Sequence, residues 1–181
     1  MKKKQGARFA LILFVIFGLS TAFAAPFAAN AHAQVTISPG DYPVRITAPS
    51  VKLDSPIQPV GVNTKGEMSV PSGSTKNVGW YKYGTVPGTT GTAVLDAHVF
   101  AAFKTLANVK IGGDIYVYMH SGKKLHFVVT KAKTYALSTL SSSTLFAATN
   151  SKQLNLITCA GKLTADHSTY DHRLIVSAQL V

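Results

Sequence analysis

Three residues in this chain have side chains suited to acyl-transfer chemistry: His98, Cys159 and Arg173. Cys159 is the only cysteine among 181 residues, so no second thiol is present to pair with it. A lone thiol is either a small buried hydrophobe or a nucleophile, and as a nucleophile it needs a base or a cation beside it, because only the thiolate attacks. His98 closes the run "AVLDAH" and Cys159 closes "LNLITC", so both stand where an apolar strand gives way to a loop. Such positions hold a group firmly and leave it reachable. Arg173 opens "RLIVSAQLV" and can present a planar fork of donors to an oxyanion. With unperturbed values, about 3 % of a thiol is thiolate and roughly a quarter of an imidazole is imidazolium at pH 7. The doubly charged pair is therefore scarce unless the fold shifts these values.

The other histidines carry less. His120 adjoins a predicted hairpin turn and His126 begins a strand, and solvation accounts for both. "DHSTYDH" crowds Asp166, His167, Asp171 and His172 together, but loops of this composition are usually solvated. Seven acids, with no cluster near the histidine strand, offer calcium little. No metal ligand and no cofactor are assigned.

These groups must be positioned by strands. Short β-type runs fall at residues 44–46, 50–53, 92–97, 114–119, 125–130, 133–137, 154–158 and 174–181, with clean alternation in "DIYVYM". "HSGKK" between two of them predicts a hairpin connection. Many short strands at this spacing predict an all-β fold, a closed or nearly closed barrel of about eight strands. Two short helices are expected, at 101–107 and 141–148.

Residues 1–33 read as an export segment. Lys2, Lys3, Lys4 and Arg8 precede an apolar run, and "AHA" offers small residues for cleavage. The segment is expected to be a cleaved signal peptide or a retained membrane anchor, and the remainder to lie outside the cytoplasm, at the cell surface or secreted. Residues 34–42 read as a linker, and 43–181 as one domain of ordinary size. Four of the 18 basic residues fall in the export segment, so fourteen against seven acids leave +7 beyond it. No stripe interleaves these charges with aromatics, which argues against nucleic acid as a partner.

His98, "LITC" ending in Cys159 and "YDHRLIV" containing Arg173, in that order, resemble a sortase. "NLITC" and "RLIVSA" are similar to the family's T-L-x-T-C and R-x-I-V-x-A strands. "VPGTTGTAVLDAHV" and "FKTLANVKIGGDIYVY" are similar to its G-x-P-G segment, histidine strand and L-x-x-(V/L)-x-x-G-D strand. The resemblance spans residues 44–181 and is nearest to the small class E or F members. It implies a cysteine transpeptidase in which Cys159 attacks a carbonyl of an L-P-x-T-G-like C-terminal sorting signal to form a thioacyl enzyme. His98 would act as acid and base, Arg173 would stabilise the oxyanion, and Thr158 would line the substrate groove. An amine from a peptidoglycan precursor or a pilin lysine would resolve the intermediate.

Two departures stand out. Asn155 replaces the usual threonine, and "DAH" replaces T-G-H or A-G-H. Ala97 adds a methyl beside the histidine, and the resemblance places Ala97 and Asp96 with Thr158 among the expected substrate-binding residues. Asp96 shares a face with His98 in an extended strand: it is either a polar strand end, the commoner case, or a group that orients or charges the imidazole. The alternative to catalysis is an envelope β-barrel binding module that buries Cys159; "GWYKYG" would give it an aromatic platform, although a core or lid role suits Trp80 better. An L,D-transpeptidase would require an S-H-G-C-type motif, and there is none.

Overall fold

The computed structural model describes residues 36–73 and 75–181. The export segment expected at 1–33 lies outside the described residues. Among the described residues, no helix is long and apolar enough to cross a membrane.

Eight strands close into a barrel: β1 (Pro43–Ala48), β2 (Leu53–Val60), β3 (Val78–Tyr81), β4 (Gly91–Asp96), β5 (Asp114–Met119), β6 (Lys124–Ala136), β7 (Lys152–Leu163) and β8 (Tyr170–Leu180). Their order around the barrel is β1-β2-β3-β4-β7-β8-β6-β5. The pairs β2/β3 and β4/β7 are parallel, and the others are antiparallel. The all-β closed barrel expected from the strand spacing is thus present.

Alternation decides which residues fill it. Ile46 and Ala48, Ala93 and Leu95, Ile115 and Val117, Leu154 and Leu156, and Val176 and Ala178 all point inward and are buried. Phe103 and Leu106, from the β4–β5 connection, join this core. That connection was expected to be helical over 101–107, but it is turns ending in a 3-10 turn at Leu106–Asn108. The second expected helix is a single turn, α1 (Ser142–Leu145).

Some strands differ from the expected runs. β2 starts where the 50–53 run ends, because Pro49–Val51 forms a 3-10 turn. The runs 125–130 and 133–137 are one strand, β6, with a bulge between Val129 and Lys131. Trp80 belongs to β3, is buried and donates from Nε1 to the Thr85 carbonyl at 3.1 Å, so it is core and not a platform. "HSGKK" does form the β5–β6 turn, where Gly122 takes φ +86° and donates to the Met119 carbonyl.

The described part of the expected linker is irregular yet tethered. Asp41 accepts from the backbone N–H and hydroxyl of Ser121 at 3.1 and 2.6 Å, Tyr42 stacks on His120, and Ile37 packs on the core.

The outer face of β4, β7 and β8 positions the site. Val94, Ile157 and Ile175 form a second apolar cluster there, covered by Met68, Tyr81, Tyr135, Leu140 and Leu145. Asn155 is buried in the same sheet; its amide donates to the Leu145 carbonyl at 2.8 Å and its oxygen accepts from Ser177 at 2.8 Å. It therefore fastens the covering segment to the sheet.

Candidate active site

The site grows out of that outer face. Parallel pairing sets Asp96 of β4 beside Ile157 of β7, and antiparallel pairing sets Cys159 of β7 opposite Arg173 of β8. His98 follows β4 by two residues. Asp96, Ala97, His98, Cys159 and Arg173 line one cavity of about 420 Å³. Val70, Phe100 and Leu163 add apolar wall, and Ser168 and Thr169 of the β7–β8 turn and Tyr170 of β8 complete it.

His98 is half-buried, stacked on Phe100 at 4.8 Å, with Nε2 3.0 Å from the Pro71 carbonyl. A carbonyl only accepts, so Nε2 carries the proton and Nδ1 is the nitrogen left to exchange one. The β2–β3 connection therefore orients the imidazole. Asp96 does not hydrogen-bond it.

Arg173 is fixed from behind. Its Nη1 donates to the carbonyls of Tyr170 and His172, and its Nη2 to Thr169 Oγ1, all at 2.9 Å. Of the five donors of a guanidinium, this leaves Nε–H and one Nη2–H uncommitted among the described residues. The chain's other arginine beyond the export segment, Arg45, is locked in a bidentate pair with Asp54.

Cys159 is half-exposed, which is inconsistent with the buried thiol that a binding module requires. Burial pushes its thiol above the ordinary range, Arg173 pulls it back, and the Asp96 charge adds to the rise. The guanidinium favours the thiolate, but desolvation outweighs it. Asp96, half-buried, is pushed up to about 7 by desolvation, against the pull of Arg173.

Thr158 sits behind the cavity and does not line it. The residue is buried, and its hydroxyl donates to the Ala97 carbonyl at 2.7 Å, tying β7 to the end of β4. Ala97 is buried as well, with its methyl in the core. The Pro71 carbonyl is the functional contact that sequence reading missed, because nothing local links a loop proline to a histidine 27 residues away.

The crowded "DHSTYDH" turn is internally satisfied. Asp166 accepts from Thr164 and Ser168, which holds its carboxyl down at about 2, and Asp171 accepts from the Lys162 N–H and lies 2.7 Å from His172 Nδ1. His126 lies against Asp114 and Tyr116.

The sortase domain family matches residues 46–181, three quarters of the chain and all three of these side chains. The chain belongs to the sortase family. Sortases are cysteine transpeptidases, and the barrel agrees with solved members. A lid mutant of sortase A from Corynebacterium diphtheriae aligns at 23 % identity and TM-score 0.59, over 77 % of this chain and 69 % of that one. Sortase C-1 from Actinomyces oris gives 23 % and 0.59, over 76 % and 71 %. A lid mutant of sortase C1 from Streptococcus agalactiae gives 21 % and 0.58, over 76 % and 68 %. The match spans only 60 % of another solved form of the Corynebacterium diphtheriae enzyme. No curated protein matches this sortase in sequence.

Proposed function

We propose that this sortase works outside the cytoplasm and cleaves an L-P-x-T-G-like C-terminal sorting signal between Thr and Gly, with Cys159, His98 and Arg173 as its catalytic residues. The observation that carries the reading is the convergence of these three side chains on one cavity from three strands or strand ends.

Cys159 sulfur attacks the threonine carbonyl carbon as thiolate. The oxyanion accepts from the uncommitted donors of Arg173. As the C–N bond breaks, His98 gives its Nδ1 proton to the departing glycine amine, leaving a thioester on Cys159 and a neutral imidazole. An amine from a cell-wall precursor or a pilin lysine then attacks the thioester, and His98 recovers a proton as the new amide forms. The apolar wall of Val70, Phe100 and Leu163 suits the hydrophobic side chain of such a signal.

Intact-mass spectrometry of the full chain, mixed with L-P-x-T-G-type and L-A-x-T-G-type peptides, tests this. The expected result is a covalent adduct of the peptide cut after Thr, removed by an added amine and absent in Cys159→Ala. A chain that forms no adduct, with a thiol that resists alkylation, would overturn it.

A further inference from the structure

Asp96 is the only acid lining the cavity, and it has no hydrogen-bond partner among the described residues. The ionisable groups that share the cavity with it are His98 beyond β4, Cys159 on β7, and Tyr170 and Arg173 on β8. Neither natural partner bonds to it: His98 Nε2 is taken by Pro71, three donors of Arg173 are taken by Thr169, Tyr170 and His172, and the donors that remain make no bond to the carboxyl. A carboxyl kept in a nucleophile's cavity without a hydrogen-bonded partner is costly, and Arg173 only partly offsets its desolvation, so its use must lie in what enters.

We propose that Asp96 receives the acceptor amine, binding it as an ammonium beside the Cys159 thioester and taking its first proton. The inference rests on the thioacyl mechanism above, whose proton balance calls for such a group. After acylation His98 is neutral and can take one proton. A primary ammonium must lose one proton before its nitrogen has a lone pair to attack, and a second when the C–N bond forms and the C–S bond breaks. Asp96 takes the first, His98 takes the second, and Cys159 leaves as thiolate; Asp96 then returns its proton to water. A carboxyl pushed up to about 7 is matched to this exchange near neutral pH.

The test separates the two half-reactions in the full chain at pH 7, with an L-P-x-T-G-type peptide as donor. Two acceptors are compared: the side-chain amine of a blocked lysine, which is cationic, and hydroxylamine, which is mainly neutral. In Asp96→Asn, thioester formation is expected to rise, because a negative charge beside the thiol is gone. Transfer to the lysine amine, relative to hydroxylamine, is expected to fall about tenfold, the loss of one charge-assisted bond. Asp96→Glu is expected to recover part of that ratio. A ratio unchanged in Asp96→Asn, or a parallel fall with both acceptors, would overturn the assignment. If the unsubstituted chain forms no thioester, the thioacyl reading itself falls, and this inference with it.

Discussion

Cys159 and Arg173 stand directly opposite each other on β7 and β8, and the guanidinium is clamped by three 2.9 Å bonds to Thr169 of the turn that joins those strands and to Tyr170 and His172 at the start of β8. The clamp fixes the fork's plane, so the free donors are held ready before any substrate arrives. Arg173→Lys keeps the charge and loses that geometry. Peptide-cleavage kcat/KM is expected to fall about 10²-fold, with the fold intact by circular dichroism.

The thiol's pH response follows from its surroundings. Burial raises the Cys159 pKa more than Arg173 lowers it, and the Asp96 charge adds to the rise. Alkylation by iodoacetamide is therefore expected to be slow at pH 7 and to accelerate above the range of a free cysteine. Asp96→Asn should move that profile to lower pH, and Arg173→Ala to higher pH.

Asp96 also links stability to pH. Its folded value of about 7, against 3.8 for a free carboxyl, means that the native state binds more protons than the unfolded chain between those values. Stability contributed by the neutral form is full below about 4 and declines as pH rises to about 7. Asp96→Asn is expected to melt at higher temperature than the parent at pH 8 and at the same temperature near pH 4, measured by scanning calorimetry.

Thr158 ties the nucleophile's strand to the histidine's. Removing its hydroxyl in Thr158→Val leaves the buried Ala97 carbonyl without that donor, which costs about 1–2 kcal/mol by denaturant titration. Activity should drop as well, because Cys159 and His98 depend on that spacing.

The imidazole tautomer can be read directly. With Nε2 against the Pro71 carbonyl, nitrogen NMR of neutral His98 is expected to show Nε2 protonated and Nδ1 bare. The opposite tautomer would mean that the β2–β3 connection does not orient the ring.

Sequence by itself determined the residue types, the strand ends that carry them and most of the strands, because alternation and turn chemistry are local. It did not place β2 or β3. Pro56 and Pro59 lack the N–H of a ladder and hide β2, and β3 is four residues long, held by neighbours distant in sequence. The bulge in β6 broke the alternation and split one strand into two runs.

Tertiary structure alone decided the site's chemistry. The parallel β4/β7 register brings Asp96 within the electrostatic reach of Cys159, which lies 63 positions further along the chain, and a loop carbonyl takes the histidine nitrogen. Thr158, expected in the groove, is turned into the wall. Ionisation followed the same rule: desolvation depends on what covers a group, and no local stretch of sequence contains that.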